Sequence, residues 1–454
     1  LKKKTPRAIC LEILNRIEKA DRHPDRLLSD SFKRYRYLTS LDRSFLTELT
    51  YGALRWKGKL DWVLQQFSKV PLEKIEIEIL NVLRIGLYQI LFLSRTPVSA
   101  AVNESVELAK RFRGKGGAGF VNAILRLIAR GEETIRYPDF SENPALHISI
   151  VQSHPLWLVR RWIEDLGAEV AAKVCTGNNR IAPLTLRTNT LKTDREQLVA
   201  KLKAAGLKPF PTDCSEEGIL LNDSPPVSEL PFLKEGLYVI QDEASQLVTS
   251  ILGPRPSERV LDACAGPGGK TTHIAQRMQN RGEVYAVDLN RRKLNLIGET
   301  CTRLGVTIVT TVKGDASQEL SVSEGLKFDR ILADVPCSGF GTLRRNPDLK
   351  WRKGEDDIVR LSKLQSSILN NLSTYLRRGG ILVYSTCTVF REENEDVVEK
   401  FLGDHPDFQL EEMVGIIPKK CFLFVRGQYF KTFPQEGEMD GFFVARLFKT
   451  VHPA

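Results

Sequence analysis

From Arg259 onward, short apolar runs alternate with stretches of helical periodicity. The runs are Arg259-Val-Leu-Asp-Ala, Glu283 to Asp288, Thr307 to Val312, Phe328 to Val335, Ile381 to Ser385 and Gly441 to Phe448. Helices fit Gly268 to Gln279, Arg291 to Leu304, Asp356 to Leu376 and Glu392 to Phe401 between them. Strands that alternate with helices form a mostly parallel sheet covered on both faces. Ligands of such sheets bind beyond the carboxyl ends of the strands, so the residues just after each strand are where chemistry is expected.

The rest of the chain has a different texture. Apolar residues recur at three and four positions from Thr5 to about Arg130, which predicts a helical bundle. A polar stretch bearing Pro138, Pro144 and Pro155 reads as a linker, and Trp157 to Cys175 as a helix. Strands at 183–190, 219–221 and 237–240 with a helix from Asp194 to Ala205 predict a small α+β module. At 454 residues there is room for about three domains. We place them at 1–135, 136–254 and 255–454. The most apolar stretch, Ile79 to Leu93, contains Arg84 and is shorter than the ~20 residues a bilayer requires. Leu1-Lys-Lys-Lys has no apolar segment behind it that would make a secretory signal. The eight cysteines include no C-x-x-C pair, which argues against a metal site and predicts reduced thiols in a cytoplasmic protein rather than a disulfide framework.

Charge is unevenly spread. Residues 1–130 hold 25 Lys and Arg against 13 Asp and Glu, whereas the remainder has 41 against 43. An excess confined to the first third suits a module that binds a polyanion such as nucleic acid. Lys110, Arg111, Arg113 and Lys115 run into Gly114, Gly116, Gly117 and Gly119, which reads as a turn whose amides approach phosphate. A solvated basic surface is the alternative.

The first strand of the alternating region is followed by Asp262-Ala-Cys-Ala-Gly-Pro-Gly-Gly-Lys-Thr. Its end resembles a phosphate-binding P-loop, but the first glycine of that motif falls at Cys264. An adenosyl cofactor instead predicts an acid at the end of the second strand for the ribose hydroxyls, and Asp288 stands there. Asp315 after the third strand suits the adenine amino group, or a helix cap. The fourth strand ends in Asp334-Val-Pro-Cys337 and the fifth in Tyr384-Ser-Thr-Cys387, so two cysteines face one crevice. Two thiols suit methylation at carbon 5 of cytosine. A thiolate adds to carbon 6, carbon 5 then accepts a methyl group from a sulfonium, and loss of the carbon-5 proton frees the enzyme.

The segments DACAGPGGKT, GDA, DVPCSGFGTLRRNPD and YSTCT, with Asp288, resemble the motifs of the RNA (cytosine-C5)-methyltransferases of the NOL1/NOP2/Sun family. The resemblance implies a Rossmann-like core that uses S-adenosylmethionine. Cys387 would be the nucleophile, Cys337 would help release the product, and Asp334 would lie near the cytosine. Cys264, Ala265, Gly266, Pro267, Gly268, Gly269, Lys270, Asp288, Asp315 and Asp334 would hold the cofactor. Gly266 stands where the family usually has alanine. Thr96 to Lys110 and Gly119 to Arg126 resemble the NusB-like helical RNA-binding domain, a fusion that within the family implies 16S rRNA as partner. We further expect a monomer with no membrane or metal partner. Arg344 and Arg345 are candidates for phosphate contacts at the mouth of the site, and Gln241 to Gln246 for RNA contact or helix capping by Asp242 or Ser245. The same chemistry on tRNA or large-subunit rRNA, and an RNA-binding assembly factor without activity, are the competing readings.

Overall fold

The computed structural model describes residues 3–20, 23–222, 224–323 and 325–451, so Leu1 and Lys2 lie outside it. The chain forms two compact units, one of residues 1–180 with 346–352 and the other of residues 181–345 with 353–454.

The first unit is helical throughout. Helices Pro6–Ala20, Ser40–Arg55, Lys57–Phe67, Ile77–Phe92 and Val98–Arg130 enclose a core that includes Ile9, Leu46, Leu60, Val82 and Leu125, all fully buried. Thr39 and Asp42 close a reciprocal capping box that starts helix Ser40–Arg55. Arg84 is buried within the apolar run, and its guanidinium donates to both oxygens of Asp61, at 2.7 Å each, and to Glu18. No helix among the described residues is long and apolar enough to cross a membrane. The glycine-rich run departs from expectation. It lies inside the 98–130 helix, broken only by a kink at Arg113 and Gly114, where Gly114 has φ +57°. Glycine alone tolerates that angle cheaply, while the flanking helical hydrogen bonds continue through Gly116 to Gly119. The expected linker also contains a helix, Pro144–Val151, whose start Asn143 caps by accepting from the Leu146 amide at 3.0 Å. Gly167, at φ +80°, divides the expected 157–175 helix into Leu156–Leu166 and Ala168–Asn179.

The second unit opens with a four-stranded antiparallel sheet, in the order Lys208–Pro211, Gly218–Asn222, Leu184–Thr188, Tyr238–Ile240. Helix Arg195–Ala204 buries Leu198 and Leu202 against it. The core that follows is built on β1 (Arg259–Asp262), β2 (Glu283–Asp288), β3 (Val309–Lys313), β4 (Phe328–Asp334), β5 (Leu376–Thr386) and β6 (Phe443–Lys449). Their spatial order is β3-β2-β1-β4-β5-β6, parallel except for β6, with short antiparallel strands beyond it. Successive strand residues point to opposite faces. Val260 and Leu261 are both fully buried, in separate clusters on the two sides of the sheet, which is why the strand reads as a continuous apolar run. The order reverses between β1 and β4, creating a crevice at their carboxyl ends.

The cysteines need one correction. Cys214 and Cys421, 207 residues apart, are joined by a disulfide with Cα atoms 5.8 Å apart. Their spacing carries no local signal, because the pairing depends on the tertiary approach of two segments distant in sequence. Closing so long a loop restricts the unfolded chain, so reduction is expected to lower stability by about 2–5 kcal/mol. Urea unfolding with and without dithiothreitol measures it; coincident curves would refute it.

Candidate active site

The loop after β1 turns sharply into helix Gly269–Arg277. Gly268 has φ +102°, and a Cβ there would lie 2.8 Å from Ile297, so the turn requires glycine on two counts. Asp288, the last residue of β2, accepts from the Gly266 amide at 3.0 Å and the Asn290 amide at 2.8 Å, and Lys293 lies 3.5 Å from it. A Cβ on Gly266 would fall 2.6 Å from that carboxylate, so the glycine makes room for the tie. Lys270 donates to Asp334 Oδ2 at 2.7 Å, and Ser385 donates to Asp334 Oδ1 at 2.8 Å. Carboxyl ends of β1, β2, β4 and β5 are thereby linked. Asp315 uses Oδ1 to accept from the amide and hydroxyl of Ser317, at 2.9 and 2.7 Å, which closes a turn with no helix behind it. Cys264 and Ala265 lie in the loop with their Sγ and methyl groups half-buried and buried; burial raises the Cys264 thiol. Pro267 follows Gly266 through a cis peptide.

Beyond β4 and β5 the two cysteines meet. Cys337 Sγ and Cys387 Sγ are 3.3 Å apart, and the Cys387 amide donates to Cys337 Sγ at 3.4 Å. The hydrogen bond to Cys387, then burial, hold the Cys337 thiol well above its ordinary range. Gly341 fixes this region from behind. Its amide donates to the Cys387 carbonyl at 2.9 Å, and a Cβ there would collide with the Gly441 carbonyl.

One expectation about cations is corrected. Arg344 is buried and donates to the carbonyls of Gly437 and Glu438 and to Asp440, while Arg345 donates to Asp440, Asp242 and the Pro183 carbonyl. Both guanidinium groups hold loops of the second unit together instead of facing phosphate; sequence spacing could not show the carboxylates that claim them. In the helical unit, Arg113 is paired with Glu76 and Lys110 with Glu107, whereas Arg111 and Lys115 are exposed. Asp242 caps its helix by accepting from the Ala244 amide at 3.0 Å.

Sequence reasoning passed over three groups. Arg187, fully buried in the antiparallel sheet, donates to the Gly269 carbonyl at 2.6 Å and to Thr272 Oγ1 at 3.1 Å, bracing the first turn of the loop's helix. Asp262 accepts from Thr271 at 2.6 Å, its other oxygen is buried without a partner among the described residues, and burial pushes its carboxyl up to about 7. Glu393 sits behind the two thiols. An isolated Arg in a strand and a buried acid at a strand end were the available signals.

This geometry has relatives. Residues 249–448 match the model of the 16S rRNA methyltransferase RsmB/F family, residues 4–130 that of the NusB family, and residues 154–228 that of the ferredoxin-like domain of RsmF/B-like methyltransferases. A probable ribosomal RNA small subunit methyltransferase B of Bacillus subtilis is 40% identical over 99% of this chain and 100% of its own length. The chain belongs to the RsmB/F methyltransferase family. A Synechocystis relative, also described as a probable ribosomal RNA small subunit methyltransferase B, is 35% identical over 98% of the chain and 99% of its own length. Among solved structures, PH0851 matches 98% of the chain and 99% of its own with a TM-score of 0.82 at 25% identity. NSun6 of Pyrococcus horikoshii, solved with SFG, matches 66% of this chain and all of its own with a TM-score of 0.60 at 25% identity. The methyltransferase thus combines a NusB-type helical domain, a ferredoxin-like module and a Rossmann-like core.

Proposed function

We propose that the enzyme transfers a methyl group from S-adenosylmethionine to carbon 5 of a cytosine in 16S rRNA, through a covalent bond between Cys387 and carbon 6. The observation that carries this reading is the pair of thiols 3.3 Å apart at the ends of β4 and β5, beside an Asp334 whose two oxygens are held by Lys270 and Ser385. The names of the RsmB-type relatives support the RNA, and the NusB-type domain supports RNA binding through the basic first third.

The residues present suit the cofactor. The loop from Cys264 to Lys270 lets its backbone approach a ligand closely, Asp262 has a buried oxygen without a partner among the described residues, and Asp288, Asp315 and Asp334 stand at three strand ends. When bound, S-adenosylmethionine supplies an electrophilic methyl group on a positively charged sulfur. Cys337 keeps its proton and stands beside Cys387, which attacks as its thiolate. That thiolate forms the bond to carbon 6, which makes carbon 5 nucleophilic. Asp334 polarises the cytosine edge while Lys270 keeps the carboxylate oriented. After methylation, loss of the carbon-5 proton expels Cys387, with Cys337 at hand to assist the release.

Asp288→Ala removes the acceptor that ties Gly266 and Asn290 together. It is expected to weaken S-adenosylmethionine binding at least about tenfold, since a charge-assisted hydrogen bond is worth roughly 1.5–3 kcal/mol. Titration calorimetry checks this, and an unchanged Kd would remove Asp288 from the cofactor site. The function itself is tested by labelled methyl transfer to unmodified 16S rRNA, with tRNA and 23S rRNA in parallel, followed by nucleoside analysis. Label in 5-methylcytidine of 16S rRNA alone upholds the proposal. Label in another RNA keeps the chemistry and discards the substrate, and a different methylated nucleoside discards the mechanism.

A further inference from the structure

The two thiols sit on separate loops, so something must fix the distance between them. The residues that flank each thiol lead to one place. Next to Cys337, the Ser338 amide donates to Glu393 Oε1 at 2.8 Å, and the Ser338 hydroxyl donates to Glu393 Oε2. On the other side of Cys337, the Pro336 carbonyl accepts from Gln365 Nε2 at 2.9 Å, and the same Gln365 nitrogen donates to Glu393 Oε1 at 3.0 Å. Next to Cys387, the Thr388 carbonyl accepts from Asn394 Nδ2 at 3.2 Å, and Thr386 donates to Asn394 Oδ1 at 2.6 Å. The Ser338 and Thr388 hydroxyls, 2.8 Å apart, join the two halves. Glu393 therefore holds one flank of Cys337 directly and the other through Gln365, and its neighbour in sequence grips both flanks of Cys387.

Glu393 and Asn394 are both fully buried. A carboxylate so placed is costly unless its oxygens are well supplied with donors, and an apolar side chain would fill the space more cheaply. Here three donors meet it from two directions, and all three belong to the Cys337 loop or to the glutamine that holds that loop. The Tyr384 hydroxyl donates to the Glu393 carbonyl, so the grip is itself anchored to β5, which carries Cys387 at its end. Burial raises the Glu393 carboxyl, and its charge in turn helps to raise the Cys337 thiol.

We infer that Glu393, together with Asn394, is a positioning residue that sets the distance between the two thiols by locking the Cys337 loop to the end of β5. This rests on the reading of Cys387 and Cys337 as the reacting pair. Neither Glu393 nor Asn394 touches the substrate in this assignment; Glu393 acts through Ser338 and Gln365, and Asn394 through the Thr386 hydroxyl and the Thr388 carbonyl. Geometry within a few tenths of an ångström matters to covalent catalysis, so a loosened pair loses rate at the chemical step and leaves cofactor binding alone.

The test uses full-length protein carrying Glu393→Ala, the isosteric Glu393→Gln, or Asn394→Ala. Steady-state transfer to 16S rRNA, thermal melting, and alkylation of Cys337 by iodoacetamide without RNA are followed together, with peptide mass spectrometry to locate the label. Expected are a fall in kcat of about 100-fold for Glu393→Ala and about 10-fold for Glu393→Gln, with KM for S-adenosylmethionine within twofold. Cys337 in Glu393→Ala should alkylate at least fivefold faster, because its loop is freed and a neighbouring negative charge is gone. A kcat for Glu393→Ala within threefold of the parent overturns the inference. So does a loss of kcat matched by equal losses of cofactor affinity and melting temperature in Glu393→Gln, which marks a core residue only. Should the parent enzyme transfer no methyl group to carbon 5 of cytosine, the functional reading fails on its own. The alkylation rate then decides the positioning role, and an unchanged rate rejects it.

Discussion

Cys387→Ala is expected to abolish methyl transfer, with a loss of at least about 10³-fold, while S-adenosylmethionine binds with a Kd within about twofold of the parent. Cys387 immediately follows β5, and its sulfur lies 3.3 Å from that of Cys337. Removing that sulfur takes away the bond to carbon 6, without which carbon 5 is too poor a nucleophile to accept a methyl group at a useful rate. The ties from Asp288 to Gly266 and from Lys270 to Asp334 do not involve Cys387, so the cofactor loop stays in place. Single-turnover transfer and calorimetry on the same preparation separate the two effects. A variant that keeps a tenth or more of parental activity would show that another group attacks the base.

Cys337→Ala is expected to behave in the opposite way, by making the covalent state persist. The first half of the reaction needs Cys387 and a held Asp334, both of which remain. The second half needs the bond between Cys387 and carbon 6 to break, and the group hydrogen-bonded to that sulfur is Cys337. With it gone, a protein–RNA species that survives denaturing gels should accumulate in the presence of S-adenosylmethionine and 16S rRNA, to more than half of the active sites. Cys337→Ala with Cys387→Ala should give none. If Cys337→Ala turns over normally with no retarded band, the release role belongs to another residue. The two variants therefore divide the reaction at its intermediate.

The regions that were legible from sequence share a cause. Glu283–Asp288 and Arg291–Leu304 were placed to the residue because strand alternation, the helical period and the Gly305 that ends the helix are local signals. The helix inside the expected linker has a local signal too, Asn143 before Pro144, because proline suits the first turn of a helix as well as breaking one. Lys208–Pro211, Val425–Arg426 and Tyr429–Lys431 escaped notice because they are short and form strands only by pairing with distant partners. The basic pair Arg344 and Arg345 looked free because charge is visible in sequence while the carboxylates of Asp242 and Asp440, about a hundred residues away in each direction, are not visibly near.

What the sequence by itself determined is the alternation of strands and helices in the core, the order of its strands along the chain, and the residue types that follow each strand. These depend on periodicity, capping and turn chemistry within a dozen residues. Only the tertiary structure decided which groups meet: the approach of Cys337 to Cys387, the disulfide between Cys214 and Cys421, the bracing of Gly269 by Arg187, and the grip of Glu393 and Asn394 on both thiol loops. Each joins segments tens to hundreds of residues apart. Their energies depend on distances of a few ångströms that no local pattern encodes, because a hydrogen bond or a thiol contact is set by where the folded backbone places its two ends.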